Sequence, residues 1–149
     1  FGKRAVDRLS EELARGTGGK FPAPPRSSAT LIVASDFYDP IPEWRGRLAP
    51  LASKCPEGIL LAVSSPIEVD FPFEGRVKLR RPGSALSRIF GRAETIREEY
   101  HHSFAAQRDA LSELTNRMGW RFVSHVSGQP PLQSAARLKA QLESFGAKL

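Results

Sequence analysis

The sequence predicts an α/β domain built on an open, mainly parallel sheet that helices flank. Two unbroken apolar runs, at residues 30–34 and 59–63, are typical of strands buried on both faces because they lack polar alternation. A helical pattern at residues 43–53 lies between them. A strand, a helix and a second strand within about 35 residues are the natural unit of a right-handed parallel crossover.

The other elements follow from breakers and periodicity. A helix is predicted over residues 1–15, ended by Gly16, and a Gly- and Pro-rich loop over 16–28. Pro and Gly make residues 64–92 irregular, apart from a short edge strand at Val77 and Leu79. The expected domain is a single one, with residues 29–149 forming its sheet and helices.

Three further elements are expected after residue 92. A long helix over 93–118 has one stripe that should lie in the core, formed by Ile96, Tyr100, Phe104, Gln107, Leu111, Leu114 and Met118. A third strand over 120–126 alternates in part and is therefore expected nearer the sheet edge. A last helix begins at Pro130 and Pro131, and its apolar face carries Leu132, Ala135, Leu138, Leu142 and Phe145.

Positive charge is concentrated in one segment. The 149-residue chain has 22 Lys and Arg against 16 Asp and Glu, a formal net charge of +6. We call residues 76–97 the basic segment, because they account for the whole net charge. Their one acid is Glu94, and their seven basic side chains are Arg76, Lys78, Arg80, Arg81, Arg88, Arg92 and Arg97. Such a segment can attract phosphates, acidic protein surfaces or anionic lipids. The alternative is a solvated connection whose arginines pair with Glu68, Asp70 and Glu74.

Composition excludes several classes of protein. The single cysteine, Cys55, excludes an intramolecular disulfide and a Cys-rich zinc site. No run approaches the roughly 18 apolar residues of a membrane-spanning helix, and the start lacks the apolar run of a secretory signal, so we expect a cytoplasmic protein. The chain begins at Phe1 without an initiator Met and opens on a helical pattern, which suggests a piece of a longer protein.

The candidate functional residue is Asp36, which follows the first apolar run. In an open parallel sheet, ligands bind beyond the carboxyl ends of the strands. An acid there can bind Mg²⁺, or act as a nucleophile or base. The alternative is an acid that caps the following turn, with Asp39 and Pro40 initiating it. Ser64 and Ser65, rather than a second acid, follow the second run, which argues against a phosphotransfer enzyme centred on Asp36.

Three segments in this order resemble one protein family. They are TLIVASDFYDP at residues 30–40, PIEVDFPFEG at 66–75, and the helix over 92–120 that ends in RMGW. Together they resemble the bacterial domain of unknown function family fifty-eight, over roughly residues 28–145. The resemblance implies a doubly wound, Rossmann-like sheet of the von Willebrand factor A type, of which this chain would be the C-terminal half without the first strands.

The resemblance also implies a function. Such domains carry a metal-ion-dependent adhesion site, in which a D-x-S-x-S loop, a Thr and a later Asp surround a divalent cation. Asp36 matches that later Asp, whereas the other two elements have no counterpart here and Ser65 stands where the family usually has Asp. Mg²⁺ or Mn²⁺ would therefore bind only in the full-length domain, and not tightly in this chain.

The expected function is a non-enzymatic protein-interaction module. Its expected partner is a MoxR-type AAA ATPase, which it would assist in assembly or chaperoning, because the family is often associated with such ATPases. The alternative is an anion-binding or nucleic-acid-binding protein that uses the basic segment, although this segment has few aromatic side chains to stack on bases.

Overall fold

The computed structural model describes residues 23, 29–80 and 87–146. In chain order its elements are β1 (Leu31–Ser35), α1 (Ile41–Ala52), β2 (Gly58–Ser64), α2 (Pro66–Asp70), β3 (Val77–Arg80), β4 (Ser87–Phe90), a 3₁₀ turn (Ala93–Ile96), α3 (Arg97–Arg117), β5 (Arg121–Val126) and α4 (Pro131–Ser144). The helix predicted over residues 1–15 and, apart from Ala23, the loop predicted over 16–28 lie outside the described residues.

A parallel three-stranded sheet with the order β1-β2-β5 forms the centre of the fold. Ile59 of β2 lies opposite Ile32 of β1 on one side and opposite Arg121 of β5 on the other. The structure confirms the mixed α/β class, the parallel crossover and the position of β5 at an edge of the described sheet. β2 is buried on both faces, as predicted.

The prediction that β1 is buried on both faces is wrong. Its side chains alternate between half-buried and exposed, and Ile32 is 42% exposed. In the described part of the chain, β1 pairs only with β2, so it is an edge strand of the described sheet, and its side chains Ile32 and Ala34 are exposed. An apolar run is thus compatible with an edge strand that has only one covered face.

The core lies between the sheet and the helices α1 and α3. Its buried side chains are Phe37, Trp44, Leu48, Leu51, Cys55, Leu60, Ala62, Leu111, Leu114 and Trp120. Trp120 is fully buried, and its indole Nε1 donates to the carbonyl of Cys55 at 2.9 Å. The ring lies directly over Gly58, where a Cβ atom would approach it to 2.2 Å. Glycine at the start of β2 is therefore what admits this tryptophan.

The stripe of α3 divides into two halves. Leu111 and Leu114 are buried as predicted, whereas Tyr100, Phe104 and Gln107 are only half-buried. The N-terminal half of this helix therefore projects beyond the core, towards the carboxyl ends of the strands. There it forms part of the candidate site.

The segment predicted to be irregular contains more structure than expected. Besides the predicted strand β3, it contains the short helix α2 and the strand β4, which pairs with β3 in an antiparallel hairpin. A capping box at Ser65 and Glu68 starts α2. The short length of these elements hid them, because two or three alternating residues give little periodicity.

The last helix, α4, packs less closely than its pattern predicts. Leu138, Leu142 and Phe145 are half-buried, but Leu132 is 78% exposed and Ala135 is exposed too. The prediction of one continuous apolar face is therefore wrong for the first turn. None of the described helices is long and apolar enough to cross a membrane.

Candidate functional site

Asp36 lies, as predicted, at the carboxyl edge of the sheet, directly after β1. Its side chain is exposed, and Oδ1 accepts a hydrogen bond from the backbone N–H of Tyr38 at 3.4 Å and from the hydroxyl of Ser35 at 3.3 Å. A carboxylate that accepts from the N–H two residues on stabilises a turn. This geometry agrees with the turn-capping alternative.

The side chain of Arg108, a residue of α3, lies beside the carboxyl end of β2, the strand next to β1. Its Nη2 donates to the Ser64 hydroxyl at 2.6 Å, and its guanidinium carbon lies 4.9 Å from the centre of the Phe104 ring. Burial lowers the pKa of Arg108 from its usual value, while Tyr38, Glu68, Asp36 and Tyr100 act in the opposite direction. An arginine stays charged under these conditions, so this edge of the sheet has a fixed positive charge.

The side chains at this edge do not fit the divalent cation that the family resemblance implies. Among the described residues, no three His, Cys, Asp or Glu side chains come together as a metal-binding group. A single carboxylate and a few hydroxyls are too few ligands for Mg²⁺, and Arg108 would repel the ion electrostatically. The role of Asp36 as a metal ligand stays a prediction, because the described residues do not supply the other ligands of a metal site.

Two tyrosines and Glu68 form a network beside Asp36. The Tyr100 hydroxyl donates to the backbone carbonyl of Glu68 at 2.8 Å. Desolvation by burial raises the pKa of Tyr38 far above its ordinary value, and Tyr100 and Glu68 act in the same direction. Desolvation likewise raises the pKa of Tyr100. Both phenols, which are neutral at physiological pH even at their ordinary pKa, are therefore harder still to ionise.

The carboxylate of Glu68 has a structural role at the start of α2. Its Oε2 accepts from the backbone N–H of Ser65 at 2.6 Å, and the Ser65 hydroxyl accepts in return from the N–H of Glu68 at 3.3 Å. Ser65, the departure from the family pattern, thus acts here as a helix cap. Its hydrogen bonds fix the first turn of α2.

Gln107 fixes the loop that carries Asp36 and Tyr38. Its side-chain Nε2 donates to the carbonyl of Phe37 at 3.0 Å and to that of Asp39 at 3.1 Å. Phe37 has a left-handed backbone with φ of 55° and is fully buried, with its ring centre 4.6 Å from that of Trp44. A left-handed phenylalanine costs conformational energy, so packing and the glutamine must hold it in place.

Asp39 is bound to helix α1. Its carboxylate pairs with the Arg47 guanidinium at 2.6 Å, which also contacts Glu43 at 3.2 Å. This pair anchors the end of the loop, so Asp39 serves the loop's conformation rather than the cavity.

Two cavities adjoin at Tyr38 and Tyr100. The smaller, of about 270 Å³, lies between Asp36 and the half-buried part of α3, where Phe104, Gln107 and Arg108 line it. The larger, of about 490 Å³, extends towards α2 and β3. We call the larger one the aromatic groove. Its apolar lining consists of Tyr38, Ile67, Phe71, Phe73, Leu79 and Tyr100, with Glu68 and Arg80 completing it.

Stacked rings build the floor of the aromatic groove. The ring of Phe71 stacks on that of Tyr100 with a centroid distance of 4.5 Å and meets Phe73 edge-on at 5.1 Å. Phe71, like Phe37, has a left-handed backbone, with φ of 43°. Each of the two loops that border the groove therefore contains a phenylalanine with an unfavourable backbone conformation, which the packing of its buried ring must hold in place.

The basic segment borders the aromatic groove through the β3–β4 hairpin. Its exposed cations are Arg76, Lys78, Arg80, Arg88 and Arg92. None of these five forms an ion pair with a residue that the structure describes, so the predicted pairing with Glu68, Asp70 and Glu74 does not occur there. Arg97 is bound instead to the carbonyl of Phe73, at 2.9 Å from its Nη2. Arg81 lies outside the described residues.

Glu94, the acid of the basic segment, holds the start of the hairpin. Its Oε1 accepts from the backbone N–H of Gly75 at 2.9 Å. This hydrogen bond is the main reason that the pKa of Glu94 lies below its ordinary value, and Arg92 and Arg97 contribute to the shift.

Sequence reasoning located Asp36 but missed the residues that surround it. Gln107 was a visible signal, because it is the one polar side chain in the predicted core stripe. Arg108, Glu68 and Tyr38 gave no comparable signal, since they come together only through the packing of α2 and α3 against the strand ends.

Comparisons with protein-family models, with curated proteins and with solved structures found no match to this chain.

Proposed function

We propose that this chain is a non-enzymatic protein-interaction module that binds its partner in the aromatic groove. In this proposal the sheet is the C-terminal part of a von Willebrand factor A-like domain, as the family resemblance implies. The partner that this resemblance suggests is a MoxR-type AAA ATPase, which the module would assist in assembly or chaperoning.

The aromatic groove is the observation that carries the proposal. It combines a volume of about 490 Å³ with six apolar or aromatic side chains, of which Ile67 is 54% exposed and Tyr38 is partly exposed at 38%. Aromatic side chains with one polar end are enriched where proteins bind each other, because they bury a large area and still satisfy their hydroxyl groups. Fixed loops on both sides reduce the entropy lost on binding.

The chemistry of the neighbouring residues favours binding over catalysis. A phosphotransfer reaction at Asp36 would need a second acid or a metal beside it, whereas the adjacent strand end presents Ser64 bound to Arg108. The tyrosines are neutral at physiological pH, as ordinary tyrosines are, and burial raises the pKa of each still further. They are therefore poor general bases at physiological pH.

The experiment is retention of a MoxR-type AAA ATPase by the immobilised chain. Ile67→Ser places a hydroxyl at the rim of the aromatic groove and is expected to reduce retention about tenfold or more. Leu132→Ser is the matched control, because Leu132 is also an exposed apolar residue but lies on α4, outside the groove. Equal retention by the two variants would show that the groove is not the binding surface.

A second candidate function is binding of anions or nucleic acid by the basic segment. The five exposed cations without ion pairs among the described residues favour it. Phosphate-driven affinity falls steeply between low and physiological salt, whereas a mainly apolar protein contact changes far less. Titration with a single-stranded oligonucleotide at two salt concentrations therefore separates the two candidates.

A further inference from the structure

We infer that the partner segment is an acidic peptide with an apolar anchor, and that the anchor enters the aromatic groove while its acids lie along the β3–β4 hairpin. This inference rests on the proposed function and adds to it the chemistry of the partner. Two features of the described residues carry it: the apolar groove itself, and the positive charge along one of its walls.

The hairpin joins these two features. Leu79 and Arg80, consecutive residues of β3, both line the aromatic groove. Since side chains alternate along a strand, Val77 and Leu79 lie on the half-buried face, and Lys78 and Arg80 on the exposed one. Arg80, at the end of β3, nevertheless lines the groove, so a peptide whose anchor reaches Leu79 continues past Arg80 onto the exposed face of the hairpin.

The exposed face of the hairpin is suited to an extended acidic chain. Lys78 lies opposite Ile89 in the register, and Arg80 opposite Ser87. Residues two apart in a strand are separated by about 7 Å, so two acids at alternate positions of an extended peptide match the spacing of Lys78 and Arg80. Ile89, which is 55% exposed, adds an apolar contact on this face, opposite Lys78.

The acid in the groove lining, Glu68, would repel a carboxylate, so in this inference only the apolar anchor enters the groove and the acids of the peptide stay on the hairpin. The carboxylate of Glu68 already accepts the Ser65 N–H at 2.6 Å and interacts with Tyr38. The two tyrosines that line the groove are neutral. A basic partner would instead have to approach five exposed cations, which costs affinity through like-charge repulsion.

The test uses three synthetic peptides of equal length with the same central Leu-Phe pair. Their flanks carry alternating Glu, alternating Lys or alternating Ser, and binding to the chain is measured by fluorescence anisotropy. We expect the Glu peptide to bind about tenfold or more tightly than the Ser peptide, and the Lys peptide to bind most weakly. Replacing the Leu-Phe pair with two alanines should abolish binding of the Glu peptide.

Two pairs of substitutions show where the acids lie. The double variant Lys78→Glu and Arg80→Glu should lower affinity for the Glu peptide about tenfold or more and leave the Ser peptide unchanged. The double variant Arg45→Glu and Arg137→Glu, at exposed sites of α1 and α4 outside the groove, changes the net charge equally and should have little effect on either peptide. Circular dichroism should show the same helix content for both double variants as for the unsubstituted chain.

Three results would overturn the inference. If the three peptides bound equally and Ile67→Ser weakened all of them, the groove would bind proteins without a preference for acids, and the proposed function would stand alone. If none of the peptides bound, an acidic peptide with an apolar anchor would be excluded as the partner segment. Retention of the ATPase would still decide the proposed function. If a single-stranded oligonucleotide bound more tightly than the Glu peptide and Ile67→Ser did not affect it, the basic segment would be a nucleic-acid site.

Discussion

Gln107 should be the residue on which the shape of the candidate site depends most. Its amide nitrogen donates two hydrogen bonds, to the carbonyls of Phe37 and Asp39, at 3.0 and 3.1 Å. Gln107→Glu keeps the size of the side chain but replaces the donor with a carboxylate that faces two carbonyl oxygens. Each neutral hydrogen bond contributes about 0.5–1.5 kcal/mol, so the expected loss in the free energy of unfolding is about 1–3 kcal/mol.

The loss should be measured by urea denaturation at neutral pH, next to the control Gln133→Glu. Gln133 is an exposed residue of α4 whose side chain forms no hydrogen bond with the residues that the structure describes, so the control should cost less than about 0.5 kcal/mol. The deficit of Gln107→Glu should shrink at acid pH, because a protonated carboxyl regains one donor. Equal stability of the two variants at neutral pH would refute the role of Gln107 in holding the loop.

Three further predictions concern the core and the hairpin. Leu111→Ala, at a fully buried site of α3, should cost about 2–5 kcal/mol in urea denaturation; a cost under half a kcal/mol would place α3 outside the core. Gly58→Ala should cost about 1–3 kcal/mol, because the new methyl group meets Trp120; an unchanged unfolding midpoint would contradict this packing. Glu94 has a lowered pKa in the folded chain, so its hydrogen bond to Gly75 should persist at pH 4.5, the ordinary value, and break only as the pH falls through the lowered pKa. The amide chemical shift of Gly75 reports on this hydrogen bond as the pH is lowered. A titration midpoint at or above pH 4.5 would contradict the lowered pKa of Glu94.

Periodicity and breakers predicted the elements whose signal is long. The two apolar runs, the helix α3 and the strand β5 all appear near their predicted bounds, because each extends over enough residues to show a pattern. The pattern could not show which strand has a neighbour on each side. Burial of β1 on both faces was therefore predicted wrongly, since the same apolar residues suit an edge strand with one open face.

The candidate site could be predicted only at Asp36. The rule that ligands bind at the carboxyl ends of parallel strands uses the order of elements alone, and Asp36 follows β1 directly. The aromatic groove depends on α2 and the β3–β4 hairpin, which are too short to be recognised by periodicity. Tyr100 and Phe104 were predicted as core residues, because a helical stripe does not show where the packed core ends.

Photochemical cross-linking of the purified chain with a MoxR-type AAA ATPase, the partner in the proposed function, tests the groove most directly. Benzoylphenylalanine in place of Ile67 puts the reactive group at the rim of the aromatic groove, and the same substitution for Leu132 puts it at an exposed large apolar side chain outside the groove. We predict that the site of Ile67 cross-links to a partner protein at an acidic segment with an apolar residue, and that the site of Leu132 does not. The same products from both sites, or no product from Ile67, would contradict a binding site in the aromatic groove.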